Sequence, residues 1–235
     1  VKTPNIDRIA NEGAIFTSFY AAAPVCTPSR AAIFTGNCPI AVSSGDNDTG
    51  ITTSQNTIAK VFRDDGYKTA YVGKWHLSQD RLNNLEHKPG WMLQSELKNN
   101  DYGFDVKNYM YNRGHYKKFE IIDNPDPDAP LGEKMGNDLG TSSTGTTSTN
   151  FSTDWLTDRA IDFINDNSSN PFFCVISYPD PHGPNNVRTP YNTMYSGNVF
   201  EAPVTYRSEG EGIPNENTGI FAPADWTIAS GGNTR

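Results

Sequence analysis

The chain has 235 residues, a formal net charge of −8 at pH 7 and a sequence pI of about 4.9. This length is enough for one large domain with a substantial core. The acidic balance argues against nucleic acid or an anionic membrane surface as the main partner, because both repel a negatively charged protein. No run of residues is apolar and long enough to cross a bilayer.

The cysteines, the sequons and the first residue bear on the compartment. Cys26, Cys38 and Cys174 do not make a disulfide framework, and the apolar surroundings of Cys174 predict a buried, inert thiol. The chain opens at Val1 with no visible signal peptide, so we expect it to be incomplete at the N-terminus. Three sequons would permit N-glycosylation, although chance could supply them in a chain rich in Asn, Ser and Thr: Asn47, Asn150 and Asn167.

In chain order, the first elements alternate between helix and strand. Apolar residues at helical spacing predict a helix over Pro4–Glu12, with Thr3 as the N-cap and Gly13 as the stop. Ala14–Tyr20 is rich in aromatic and β-prone residues and predicts a strand. A helix is then expected over Ser29–Thr35.

The same alternation continues along the chain. Thr57–Asp65 predicts a helix ended by a glycine, and Tyr67–Val72 predicts a strand. Thr153–Asn165 carries one apolar stripe and is the strongest helix prediction. Phe172–Tyr178 is a near-continuous apolar run, which is typical of a strand buried on both faces of a parallel sheet. The alternation predicts an α/β layered fold.

Two segments have the composition of irregular chain. Gly132–Asn150 is a low-complexity Gly/Ser/Thr stretch, and we expect a flexible surface insertion at about 132–150. Residues 207–235 are rich in Gly, Pro and Asn with little periodicity and predict an irregular tail. The predicted domain therefore spans residues 1–206.

The run Cys26-Thr27-Pro28-Ser29-Arg30 places a cysteine just before a predicted helix, with an arginine four residues later. The helix dipole and the Arg30 charge would both favour an anion beside the thiol. Taken alone, these residues could equally be a structural cysteine beside a surface arginine.

Two further blocks end predicted strands with basic or titratable side chains. Lys74 can hold an oxyanion as a point charge, and His76 can move protons near neutral pH. His182 lies between prolines after the third predicted strand, where α/β sheets place ligand-binding loops. Without further context, surface polar residues are the default interpretation.

Together, the three blocks resemble the type I, formylglycine-dependent sulfatases. The resemblance rests on C-x-P-S-R followed by Thr-Gly, on G-Y-x-T-x-x-x-G-K-W-H, and on P-H-x-P after a strand, and it covers roughly residues 2–206. It implies an alkaline-phosphatase-like α/β fold with a mixed, mainly parallel sheet flanked by helices. The chain resembles the N-terminal portion of the catalytic domain without its first strand.

The resemblance also implies the chemistry. A formylglycine-generating enzyme would oxidise Cys26 to an aldehyde, whose hydrate attacks the sulfur of a sulfate ester, and His76 would be the base that releases sulfate. Arg30, Lys74 and His182 would stabilise the transferring group together with a divalent cation, which in the family is usually calcium. Of the cation's ligands, residue 26 as formylglycine can be assigned to this chain, since the family's Asp-Asp pair lies upstream of the matching region.

Alternatives stay open at this point. A phosphoester or phosphonate hydrolase of the same superfamily and a non-catalytic sulfated-glycan binder or inert fragment are both compatible with the residues. The substrate would be a sulfated small molecule or glycan, and the family implies a secreted, periplasmic or lysosomal location. Other polar groups are interpreted as structural or as surface residues: Asp64 and Asp65, Asp46 and Asp48, His87, His115, and Tyr102–Asp105.

Overall fold

The computed structural model describes residues 2–42, 49–78, 101–111, 119–123, 133–138, 151–183, 185 and 187–201. Its helices are α1 (Pro4–Glu12), α2 (Cys26–Thr35), α3 (Pro39–Val42), α4 (Ile58–Asp64) and α5 (Ser152–Asp166), with a short 3-10 helix at Tyr191–Thr193. Its strands are β1 (Lys68–Lys74), β2 (Val106–Tyr111), β3 (Phe119–Asp123), β4 (Glu133–Asp138) and β5 (Phe172–Ser177).

The centre of the described fold is a parallel sheet with the strand order β2-β1-β5. Each pair is parallel, and β1 runs in register with β5 from Lys68 opposite Phe172 to Gly73 opposite Ser177. Parallel neighbours need crossover connections, and here α5 supplies the helix that precedes β5. The C-terminal ends of β1, β2 and β5 therefore meet at one edge of the sheet.

Helices cover both faces of this sheet. On one face an aromatic cluster joins α2 to β1, with Phe34 of α2 packed 4.9 Å from the Trp75 ring and 5.8 Å from the Tyr71 ring. On the other face α5 packs Trp155 and Leu156 against Val72 of β1. The result is the layered α/β arrangement that the alternating elements predict, so the predicted fold class is confirmed.

Local sequence signals place most of these elements correctly. The helix predicted over Pro4–Glu12 has those bounds, and α5 extends the prediction for 153–165 by one residue at each end. Thr57 caps α4, since its hydroxyl oxygen accepts from the Lys60 N–H at 3.2 Å and its hydroxyl donates to the Tyr102 carbonyl at 2.7 Å. The capping bond to Lys60 acts within one turn of helix, whereas the bond to Tyr102 is a tertiary contact.

The strand predicted over Ala14–Tyr20 is wrong. These residues form an irregular segment with a turn at Thr17 and Ser18, and Phe19 and Tyr20 are more than 80% exposed. A strand needs a neighbour to pair its backbone groups. Within the described ranges no strand pairs with this segment, so its β-prone composition has no ladder to join.

Two more expectations need correction in the strands. β5 ends at Ser177 and is half-buried rather than buried on both faces, because it lies at the edge of the described sheet with β1 as its one neighbour there. Residues Glu133–Asp138, at the start of the predicted flexible insertion, instead form β4, which pairs antiparallel with β3. The rest of that insertion and the predicted tail lie outside the described residues.

Several side chains singled out in the sequence can now be placed. Asp64 and Asp65 are exposed at the end of α4, as predicted, and Tyr102 and Phe104 are core residues. No helix among the described residues is long and apolar enough to cross a membrane. The positions that fall outside the described ranges are Asp46, Asp48, His87, His115, Asn47 and Asn150.

Candidate functional site

The candidate nucleophile, Cys26, is the first residue of α2 and is half-buried. The helix therefore begins three residues earlier than the sequence predicted. Its N-cap is Val25, which has no side-chain oxygen for the first N–H groups. The hydroxyl of Thr27, two residues later, donates to the His76 carbonyl instead. The N-terminus of α2 thus adds a partial positive charge beside Cys26, which favours an anion at this position.

The start of α2 is attached to the residues that follow β1. The hydroxyl of Thr27 donates to the carbonyl of His76 at 3.0 Å, although the two residues are 49 positions apart. Thr27 is buried, so this bond is shielded from water. It places the Cys26 end of the helix at the C-terminal edge of the sheet.

Lys74 is the last residue of β1, and His76 lies beyond the strand with a φ of +56°. Alternate residues share one face only within a strand, so the strand geometry does not place Lys74 and His76 on a common face. A left-handed φ is uncommon for a residue other than glycine, although histidine is among the types that tolerate it. The turn redirects the chain immediately after Lys74, which is itself buried.

A glycine allows β1 and β5 to approach closely just before this turn. Gly73 has a φ of +111°, and a Cβ at this position would lie 2.1 Å from the carbonyl oxygen of Ser177. No side chain larger than hydrogen fits there without moving one of the strands. Gly73 therefore brings the end of β5 next to the end of β1.

Arg30 joins these strand ends to α2. Its Nη1 donates to the carbonyl oxygen of Lys74 at 2.9 Å and to Oγ of Ser177 at 2.9 Å, with the hydroxyl oxygen of Tyr71 at 3.4 Å. Tyr71 in turn donates to the Lys74 carbonyl at 2.5 Å. The guanidinium is thus fixed by three elements, α2, β1 and β5.

Tyr71 is fully buried beneath this group. Burial raises the pKa of Tyr71 to about 12, an increase that the charge of Arg30 and hydrogen bonds from Ser177 and Arg30 partly offset. The phenol is therefore neutral near physiological pH and can act as a hydrogen-bond donor and acceptor. The positive charge in this cluster belongs to Arg30.

His182 follows β5 in a loop at the same edge of the sheet. Its side chain is exposed, with Nδ1 3.0 Å from the carbonyl oxygen of Gly183. Two hydrogen bonds attach the loop to the first turns of α5: Thr153 to Asp180 at 2.6 Å and Thr157 to Tyr178 at 2.7 Å. The loop is therefore anchored on both sides of Pro179.

Comparison with known proteins identifies the family. The model of the Sulfatase family matches residues 1–204 of the 235-residue chain. The chain belongs to the sulfatase family. The resemblance seen in the sequence blocks is thereby confirmed, and it extends over most of the described fold.

Individual sulfatases and one solved structure show similarity over most of the chain. The uncharacterized sulfatase YidJ of Escherichia coli (strain K12) is 33% identical over 209 residues, covering 86% of this chain and 38% of its own length. The N-acetylglucosamine-6-O-sulfatase of Bacteroides thetaiotaomicron is 28% identical over 213 residues, covering 90% and 32%. The crystal structure of YidJ from Bacteroides fragilis superimposes with a TM-score of 0.60 at 23% identity, covering 84% of this chain and 43% of that one.

These matches establish the alkaline-phosphatase-like fold for this sulfatase chain. The chain spans about a third of the length of these curated relatives. The described sheet and its helices form the part of the fold that carries Cys26, Lys74 and His76.

The predicted site residues of this sulfatase fall into two groups. Backbone or side-chain bonds bring Arg30, Lys74, His76 and the Cys26 end of α2 to one place. His182 reaches the same edge through the topology of β5. Sequence reasoning missed Tyr71 and Ser177, whose roles depend on a tertiary contact with Arg30 and have no local signature.

The described residues do not form a metal site by themselves. Within those ranges, no group of three or more His, Cys, Asp or Glu side chains could hold a metal ion. Cys26, the one ligand assigned from the sequence, belongs to no such group among the described residues.

Proposed function

We propose that this sulfatase chain is part of a sulfuric ester hydrolase that cleaves sulfate esters through a formylglycine made from Cys26. The observation that carries the proposal is the meeting of α2 with the ends of β1 and β5. This contact places a helix N-terminus, a cysteine and the fixed charge of Arg30 at the edge of the sheet where α/β folds bind ligands.

The residues of the chain would divide the work as follows. Arg30 and Lys74 hold the anionic sulfuryl group, the first as a planar donor and the second as a point charge. His76 moves a proton beside the nucleophile, and His182 contributes a further donor from the loop after β5. Such fixed charges lower the barrier most when they are oriented before the substrate arrives.

We also propose that the site contains an aldehyde at residue 26 and a divalent cation. When present at residue 26, formylglycine supplies a nucleophile that is regenerated after each turnover. Its formation requires a formylglycine-generating enzyme as a partner, and the C-x-P-S-R run is the expected recognition segment. A divalent cation, which the family resemblance implies to be calcium, would bind residue 26 together with ligands from other parts of the protein.

The proposed substrate is a sulfated small molecule or a sulfated glycan. The N-acetylglucosamine-6-O-sulfatase named above supports the glycan, since its name states a sugar sulfate. A secreted, periplasmic or lysosomal location agrees with such substrates.

A mass measurement and an activity measurement test the proposal together. The protein is co-expressed with a formylglycine-generating enzyme, and the Cys26 peptide is analysed by mass spectrometry. We expect a mass loss of about 18 Da, the difference between cysteine and formylglycine. We also expect turnover of 4-methylumbelliferyl sulfate that disappears in Cys26→Ala.

The controls separate the alternatives. Exposed Cys38→Ala is the matched variant and should leave the mass change and the turnover intact. Faster hydrolysis of 4-methylumbelliferyl phosphate than of the sulfate would favour the phosphoester hydrolase. Binding of sulfated oligosaccharides without turnover, in protein that carries the aldehyde and is supplied with calcium, would favour the non-catalytic binder. Multiple turnovers by Cys26→Ala would refute the proposal.

A further inference from the structure

Two hydroxyl groups meet one guanidinium nitrogen at the C-terminal edge of the sheet. We propose that Ser177 and Tyr71 are positioning residues, which hold one nitrogen of Arg30 so that its remaining N–H groups face the sulfate ester. The inference rests on the proposed function and names two side chains that none of the three sequence blocks assigns to the pocket.

The first step concerns the hydrogen bonds of Arg30. Nη1 is occupied, because it lies 2.9 Å from Oγ of Ser177, 2.9 Å from the Lys74 carbonyl oxygen and 3.4 Å from the Tyr71 hydroxyl. Nε and Nη2 have no hydrogen-bond partner among the described residues. A guanidinium carries five N–H donors in a planar fork. Fixing one nitrogen therefore orients the others.

The second step concerns direction. Arg30 lies one helical turn after Cys26, so the two side chains share a face of α2. Side chains on a helix lean toward its N-terminus, which turns the guanidinium toward Cys26. We therefore expect the N–H groups on Nε and Nη2 to lie on the side of α2 that carries Cys26.

The third step concerns the rigidity of the two hydroxyls. The Tyr71 ring is fully buried, 5.8 Å from the Phe34 ring and 5.1 Å from the Phe104 ring, and its hydroxyl donates to the Lys74 carbonyl. Ser177 ends β5, opposite Gly73 in the strand register. Both hydroxyls therefore belong to the scaffold and not to a loop, which is what accurate positioning requires.

The experiment compares Ser177→Ala and Tyr71→Phe with the unchanged sequence, all in protein that carries formylglycine at residue 26. The readouts are kcat and KM for 4-methylumbelliferyl sulfate and the affinity for inorganic sulfate by calorimetry. We expect Ser177→Ala to lower kcat/KM about tenfold to a hundredfold, the size expected for one hydrogen bond to a charged group. Ser177→Thr, which keeps the hydroxyl, should retain most of the kcat/KM that Ser177→Ala loses.

Matched controls remove the same groups from the surface. Ser168→Ala deletes an exposed hydroxyl that bonds the Asn165 carbonyl, and Tyr20→Phe deletes the hydroxyl of an exposed ring. Both should keep kcat/KM within about twofold. Combining Ser177→Ala with Arg30→Lys should give no further loss beyond Arg30→Lys alone, because the serine acts through the arginine.

The outcomes distinguish this inference from the function on which it rests. Full kcat/KM and full sulfate affinity in Ser177→Ala, with a large loss in Arg30→Lys, would overturn the positioning role and leave the proposed function standing. A lowered melting temperature with unchanged kcat/KM and affinity would show a purely structural role and would also overturn it. Retained hydrolysis in both Arg30→Lys and Cys26→Ala would instead refute the proposed function.

Discussion

Burial distinguishes the thiols of this chain at the scale of single residues. Cys174 is half-buried in β5, and desolvation raises the pKa of its thiol to about 11, whereas Cys38 is exposed. The thiolate is the reactive form, so Cys174 should react with iodoacetamide far more slowly than Cys38 at neutral pH. Its rate should rise as the pH approaches 11.

Peptide mapping after timed labelling checks this expectation. Labelling in urea is the control, because both thiols become accessible in the unfolded chain. Equal rates for Cys174 and Cys38 in the folded protein at neutral pH would contradict it.

A second residue-scale prediction follows from the ion pair between Arg63 and Asp101, whose atoms lie 2.6 and 2.9 Å apart. The hydrogen bond from Arg63, with one from the Gly103 N–H, lowers the pKa of Asp101 from 3.8 to about 2. The carboxylate therefore stabilises the fold above the unfolded pKa, and this contribution is lost as the pH falls toward 2. Because 57% of the Asp101 side chain is exposed, we expect this contribution to the free energy of unfolding to be less than about 1 kcal/mol.

Urea unfolding of Asp101→Asn across this pH range measures the effect. The variant should be slightly less stable at neutral pH, and the difference should shrink between pH 4 and 2, where the wild-type carboxyl becomes protonated. Exposed Asp166→Asn is the control, since Asp64 lies 4.0 Å from the same Arg63 guanidinium. A difference that stays constant down to pH 2 would show that the charge of Asp101 is not responsible.

At the scale of the elements, the contact between β1 and β5 depends on Gly73. Alanine there would combine a φ of +111° with a Cβ 2.1 Å from the Ser177 carbonyl oxygen. We expect Gly73→Ala to lower the free energy of unfolding by about 2 to 5 kcal/mol through backbone strain and strand separation. It should also weaken sulfate binding, because Ser177 moves with β5.

Gly36 offers a matched comparison for this prediction. It ends α2 with a φ of +67°, but apart from its chain neighbours no atom of the described residues lies within 4 Å of an added Cβ. Gly36→Ala should therefore cost about 1 to 2 kcal/mol from conformation alone. Equal destabilisation of the two variants in chemical denaturation would show that the close approach of the strands is unimportant.

At the scale of the whole molecule, apolar side chains are divided between two packed faces of the sheet and an exposed N-terminal segment. Phe34 is buried in the aromatic cluster, whereas Phe19 is 81% exposed. In this chain, Phe34→Ala should lower the free energy of unfolding by about 3 to 5 kcal/mol. Phe19→Ala should change it by less than about 0.5 kcal/mol.

The same substitution at two sites makes this a comparison of environment rather than of residue type. Chemical denaturation of both variants supplies the measurement. A loss above 2 kcal/mol in Phe19→Ala would mean that the segment after α1 packs against a part of the chain outside the described residues.

Sequence alone determined the features that depend on neighbours within a few positions. The bounds of α1 and α5 follow from apolar spacing and terminal residues, and the cap of α4 follows from Thr57. The three motif blocks predicted the sulfatase family, and the family match confirms that prediction. These signals are local, so they need no knowledge of what the chain packs against.

Tertiary structure decided whatever requires a distant partner. Residues 14–20 have a strand-like composition but no described strand to pair with, whereas β5 pairs with β1 and still remains half-exposed at the edge of the described sheet. The turn at His76 and the bonds of Arg30 to Tyr71 and Ser177 arise where α2, β1 and β5 meet. The composition of a segment indicates which secondary structure it favours. Strand pairing, burial and the position of charges depend on residues far away in the sequence.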